Sequence, residues 1–173
     1  MPYYDVSIDN MKRTVQYLSD INPPRNHLNT GSLENSANYI TQKFINYEIN
    51  VKEQNFEVSG IKYRNIIGSV GPTEGARIVV GAHYDVCGDQ PGADDNASGI
   101  AGLLEIARFA KMHESELPYR VDFVAYTLEE PPYFGTEKMG SYIHKTSDTI
   151  DTLDFNKMGD VVKGICWSLL NMN

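Results

Sequence analysis

Cysteine and tryptophan are scarce: two of one and a single copy of the other in 173 residues. Cys87 and Cys166 are too few and too far apart for a disulfide framework, so the fold must rest on a packed core. Long apolar runs are missing as well. No stretch approaches the roughly 18 apolar residues of a membrane span. From Met1 to Asp20 polar side chains recur every few positions, which leaves no apolar segment of signal-peptide length. No membrane partner is expected, and the simplest location is cytoplasmic; a processed secreted protein would read the same. Positive charge is also short, with 15 basic against 23 acidic side chains and a net charge of −8. That balance opposes a phosphate backbone, so nucleic acid is not an expected partner. No repeat or low-complexity tract divides the chain, and its length suits one domain, residues 1–173.

What is present is an alternation of helix and strand signals. Met11, Val15 and Leu18 fall at helical spacing and predict a helix over Ile8–Asp20, stopped by Asn22-Pro23-Pro24. Leu33, Ala37, Ile40 and Phe44 predict a second helix with Ser32 as its N-cap. Ile49–Val58 and Ile61–Val70 flank Ser59-Gly60, the pattern of a hairpin with a two-residue turn. Ile78-Val79-Val80-Gly81-Ala82 is a short apolar run of the kind that forms a buried strand. Asn96–Met112 reads as a helix, Tyr119–Thr127 as a strand and Leu153–Leu169 as a closing helix. Strand, helix, strand over this length makes a parallel pair with a right-handed crossover.

Chemistry collects where those two strands end. The first runs into His83-Tyr84-Asp85 and then Pro91-Gly92-Ala93-Asp94-Asp95-Asn96-Ala97-Ser98-Gly99; the second runs into Glu129-Glu130-Pro131-Pro132. Parallel neighbours end on the same edge of a sheet, where open α/β sheets bind ligands. Carboxylates crowded there repel, and each costs several kcal/mol to desolvate unless protons or a cation compensate. A divalent metal is the simplest compensation. Adjacent glutamates in a turn point in different directions, so one can ligate while the other handles a proton. The bland alternative is a set of acidic loops at a sheet edge. His27 and His113 have no partner pattern and read as surface residues, and Cys87 reads as a bystander.

These segments, followed by Gly140-Ser141, resemble the co-catalytic zinc aminopeptidases, the family of bacterial leucyl aminopeptidases to which glutaminyl cyclases are related. Asp148-Thr149-Ile150-Asp151-Thr152-Leu153 ahead of a helix resembles that family's C-terminal end. The resemblance implies a shortened α/β fold of three layers, α/β/α, around a mixed sheet. It implies a zinc-dependent hydrolase in which metal-activated water attacks a peptide bond near the N-terminus of a peptide substrate. In that frame His83 is similar to the imidazole ligand of one zinc, and Asp85 to the carboxylate that orients it. Asp95 resembles the carboxylate shared by two ions, with Asp94 a neighbour and not a ligand. Glu129 resembles the general base, and Glu130 the carboxylate ligand of the second zinc. A cis peptide at Asp95-Asn96 is implied as well.

The departures are specific. In the family a long internal segment, bearing another sheet strand and an aspartate ligand, separates the parts resembling Gly140-Ser141-Tyr142-Ile143 and Asp148–Leu153. Here His144-Lys145-Thr146-Ser147 joins them directly. The zinc beside His83 is then one ligand short, so the expectation is one or two zinc ions. His144 has two readings: the family's final ligand histidine, or an unremarkable helix position. As a ligand, it would make with Asp95 and Glu130 a three-ligand site with an open position, the mononuclear pattern that glutaminyl cyclases resemble. Three functions stay open: an aminopeptidase-type hydrolase, a cyclase-type zinc enzyme, and a catalytically silent metal-binding or interaction remnant. Loss of the segment also leaves Ile78-Val79-Val80 an open edge with no proline to protect it, which invites self-association.

Overall fold

The computed structural model describes residues 5–132 and 145–172. Helix α1 spans Ile8–Ser19; Ser7 caps it, its Oγ accepting the Asn10 N–H at 3.2 Å, and Met11, Val15 and Leu18 face inward. Helix α2 spans Thr30–Asn46, so it begins two residues before the expected cap. Ser32 lies inside its first turn, and the hydroxyl donates to the Pro23 carbonyl at 2.6 Å. Strands β1 (Asn50–Val58) and β2 (Ile61–Val70) form the expected antiparallel hairpin. Ser59 and Gly60 have φ of 53° and 81°, both positive, as a tight primed turn requires.

Strand β3 (Arg77–His83) is followed by a wound segment, Ala93–Ser98, that leads into α3 (Gly99–Met112). Strand β4 (Arg120–Tyr126) and helix α4 (Phe155–Asn171) complete the elements that position the site. The sheet has the order β1-β2-β4-β3, antiparallel between β2 and β4 and parallel between β4 and β3. It is thus a mixed α/β sheet. Ile66, Val70, Val121, Phe123 and Ala125 are buried from one face, with Ile78 and Val80 packed against the same core as Leu103, Leu104, Ala107 and Val162 of the helices. Each such side chain, fully buried, contributes about 1.5–3 kcal/mol.

The apolar run of β3 reads as a buried strand, and the resemblance, short of its internal segment, implied an open edge along it. Among the described residues β3 pairs with β4 alone, and Val79 is 55% exposed. Strand pairing is a long-range choice that the local run of valines does not encode. The parallel register sets His83 beside Tyr126, and Tyr84 extends the ladder by donating to the Tyr126 carbonyl at 2.9 Å. The turns after both strands therefore share one corner. Among the described residues, no helix is long and apolar enough to cross a membrane.

Candidate metal centre

Asp85 holds the two strand ends together. It is 1% exposed, and its carboxylate accepts the backbone N–H groups of Glu129 (3.3 Å) and Glu130 (3.0 Å). On the β3 side, His83 Nδ1 lies 3.2 Å from the Asp85 carbonyl and 3.6 Å from its Oδ1. A proton on Nδ1 directed at Asp85 leaves Nε2 to face Asp95 Oδ1 at 3.1 Å and Glu129 Oε2 at 3.7 Å. Fixing the tautomer through the far nitrogen is how a carboxylate prepares a ligand imidazole.

The loop that carries Asp95 is held by Asp148, a buried residue. Its Oδ1 accepts the Asp94 N–H at 2.7 Å, its Oδ2 the Asp95 N–H at 3.0 Å, and its carbonyl the Ala93 N–H at 3.2 Å. The Asp95-Asn96 peptide is cis, as the resemblance implied. Asp94 is exposed while Asp95 turns towards His83. Gly92 enters this loop with φ of 63°, where a Cβ would lie 2.2 Å from Val86 Cγ1 and 2.5 Å from the Asp95 carbonyl. Only glycine fits that approach.

Donor atoms of His83, Glu129 and Glu130 all lie within 4.8 Å of one another. The resemblance assigned His83 and Glu130 to two ions bridged by Asp95; the donor atoms of His83 and Glu130 lie within this one short span, together with that of Glu129. Glu130 is 3% exposed, whereas the Glu129 side chain is 48% exposed. Burial, reinforced by the Asp95 charge and opposed by His83, pushes the Glu130 carboxyl up to about 8. Burial lowers the His83 pKa, but hydrogen bonds and charges from Asp85 and Asp95 outweigh it and carry the imidazole up to about 10. Protons are favoured by burial at Glu130 and by the carboxylates around His83, and a cation would answer the same need. One imidazole nitrogen and two carboxylate oxygens within 4.8 Å of one another, with a third carboxylate oxygen 3.1 Å from the imidazole, suit Zn²⁺, so the residues fit the metal. His144 lies outside the described residues.

Sequence reasoning gave no role to Arg25. It is 1% exposed and donates to the carbonyls of Tyr84 (2.8 Å), Leu18 (2.8 Å), Pro91 (2.5 Å) and Gly92 (2.6 Å). Burial lowers its pKa to about 10 against the raising charges of Asp85, Asp148, Asp95 and Glu130. An arginine after two prolines carries no signal of this. Asp148 stood inside a segment already singled out, yet nothing in the sequence said which amides its carboxylate would take.

Residues 65–154 match Peptidase family M28. YfbL of Escherichia coli (strain K12) is 42% identical over 149 residues, which cover 82% of this chain and 46% of that protein. Aminopeptidase YwaD of Bacillus subtilis (strain 168) is 32% identical over 96 residues, covering 54% of this chain and 21% of that one. Porphyromonas gingivalis glutaminyl cyclase superposes with a TM-score of 0.63 at 28% identity, covering 76% of this chain and 48% of the solved one. The chain spans less than half the length of the curated relatives it matches. The family match takes in more than half of the chain and includes His83, Asp85, Asp95, Glu129, Glu130 and Asp148. With the zinc-type corner built on those residues, the chain belongs to peptidase family M28.

Proposed function

We propose that this chain is a zinc-dependent peptidase domain that cleaves the bond next to the N-terminus of peptide substrates. The observation that carries this is the meeting of His83, Glu129 and Glu130 donor atoms within 4.8 Å, with Asp95 Oδ1 3.1 Å from His83 Nε2. His83, Asp95 and Glu130 would hold the ion or ions, and Asp85 keeps the His83 tautomer that leaves Nε2 available. When bound, zinc supplies Lewis acidity towards the peptide carbonyl and a more acidic water. Glu129 is far more exposed than Glu130. It is placed to take a proton and return it to the leaving amine. A cavity of about 450 Å³ adjoins it, lined by Gln54, Phe56, Asn65, Tyr126 and Thr127, and offers room for substrate.

A second reading, a cyclase-type zinc enzyme, is favoured by the 28% identity to the Porphyromonas gingivalis glutaminyl cyclase. The test is zinc content together with hydrolysis of leucine p-nitroanilide by the wild type and Glu129→Gln. The expected result is zinc in both proteins and turnover in the wild type alone. Zinc binding without hydrolysis, but with cyclisation of an N-terminal glutaminyl peptide, would move the assignment to the second reading. A wild type that binds zinc and does neither is a silent member, and one that binds no zinc overturns the metal centre.

A further inference from the structure

We infer that Arg25 is a positioning residue for this site: its guanidinium fixes the spacing between the His83–Asp85 turn and the Pro91–Asp95 turn, so that His83 and Asp95 meet. The zinc part of this inference rests on the function proposed above; the geometric part does not.

A guanidinium at 1% exposure must satisfy its donors inside the protein, because an unpaired buried charge is strongly destabilising. Arg25 does so entirely with backbone. Nε donates to Tyr84, the residue between His83 and Asp85. Nη1 donates both to Pro91 and to Leu18 near the end of α1, and Nη2 donates to Gly92. The end of α1 and the two turns on either side of residues 85–90 are thus fastened to one rigid plane. Val86 closes the circuit by donating its N–H to the Arg25 carbonyl at 3.2 Å. The fit is tight, since a Cβ on Gly92 would come within 3.0 Å of Arg25 Nη2. None of the four acceptors is a carboxylate; Asp85, Asp148, Asp95 and Glu130 act on the cation through charge alone. Lysine would keep that charge but lose the planar fork that reaches several carbonyls at fixed angles.

The test compares Arg25→Lys and Arg25→Gln with Arg108→Gln. Arg108 ties Glu105 of α3 to the chain before α1 and does not touch the corner. Zinc affinity is measured by calorimetry where each protein is fully folded by circular dichroism, and amide exchange is followed on the metal-free proteins. Zinc affinity should fall at least about tenfold in Arg25→Lys, the scale on which groups supporting metal ligands act. Exchange should quicken at Asp94, Asp95, Glu129 and Glu130 and stay unchanged in the β1–β2 hairpin. Arg108→Gln should lower the melting temperature and leave zinc affinity alone. If Arg25→Gln does not fold, Arg25→Lys carries the test. Exchange that rises evenly over the whole sheet, or a wild-type zinc affinity in Arg25→Lys, overturns the inference. Should the wild type bind no zinc, the proposed function falls and the exchange pattern alone decides the role of Arg25.

Discussion

Replacing Asp85 by asparagine separates its two duties, tying the strand ends and preparing His83. The carboxylate accepts two backbone N–H groups, from Glu129 and Glu130. Hydrogen bonds to a charged group contribute about 1.5–3 kcal/mol each. An asparagine keeps one oxygen for one of them but sets an NH₂ against the other, so about one bond is lost. In the metal-free protein, removing one of several crowded anions relieves repulsion with Asp95 and Glu130 and offsets part of that loss. The expected net destabilisation without metal is therefore about 1–2 kcal/mol. With zinc present the relief disappears, because the ion already neutralises the corner, and His83 Nδ1 keeps the Asp85 carbonyl at 3.2 Å but loses the carboxylate charge 3.6 Å away. Affinity should fall about 10–100-fold, or roughly 1.4–2.8 kcal/mol. At about 2–4 °C per kcal/mol, the melting temperature gained on adding zinc should shrink by roughly 3–11 °C. Paired melts of both proteins over a zinc series, with calorimetric titration, read this directly. An equal zinc-dependent gain in wild type and Asp85→Asn would refute the preparing role and leave Asp85 as a tie between loops.

Removing zinc from the wild type with a chelator should itself lower the melting temperature by several degrees, since a ligand at about 1,000 times its Kd stabilises by about 4 kcal/mol; an unchanged melt of zinc-loaded protein would contradict a folded-state site. Asp122 tests electrostatics away from the corner: burial pushes its pKa up, but hydrogen bonds from Ser69 (2.6 Å) and Arg120 (2.7 Å) and the charge of Arg77 hold it below the usual carboxylate value. Its stabilisation is present above the unfolded value of about 3.9 and is lost as pH falls through the folded one, so Asp122→Asn should cost about 1.5–3 kcal/mol at pH 7 by urea denaturation and progressively less below about pH 4; a difference that does not vary with pH would exclude the charge as its source. Strand β3 has β4 as its only strand partner among the described residues. We therefore expect a second copy to pair along it, giving a concentration-dependent dimer by light scattering that Val79→Lys weakens; a strict monomer at high micromolar concentration, with slow exchange of amides 78 to 82, would mean the edge is covered within one chain.

Where the fold was legible in the sequence, the deciding forces are local. Ser59-Gly60 can adopt two positive φ values in succession, so the hairpin and its register follow from two residues and their flanks. The helices over Ile8–Ser19 and Gly99–Met112 follow from apolar spacing. The start of α2 was misplaced because several small polar residues can cap a helix, and Ser32 is recruited instead by the Pro23 carbonyl. The open edge of β3 followed from the resemblance and the segment missing from it, not from the apolar run, which does not say who pairs along a strand's sides. At the site, His83, Asp85, Asp95, Glu129 and Glu130 announce themselves as ligand-type side chains at two strand ends. Arg25 does not, because its partners are carbonyls, and every residue has one. A contact between a side chain and another segment's backbone leaves no mark on the second partner's identity.

That asymmetry explains how the corner is built. Its loops must satisfy their own backbone groups while several anions crowd beside them, and the accounting is complete only if each N–H and each C=O finds a partner. The protein sorts the two kinds. Carboxylates collect the donors: Asp85 takes the N–H groups of Glu129 and Glu130, and Asp148 those of Asp94 and Asp95. The buried guanidinium of Arg25 collects the acceptors, at Tyr84, Pro91 and Gly92. Each loop is thus fixed through its backbone, which leaves His83, Glu129 and Glu130 free to converge and Asp95 to face His83. Held this way, the corner concentrates negative charge before any ion arrives. The repulsion that ought to open it is resisted by hydrogen bonds that do not depend on the ligating atoms. An ion entering such a site gains the attraction of several carboxylates without having to order the loops that carry them.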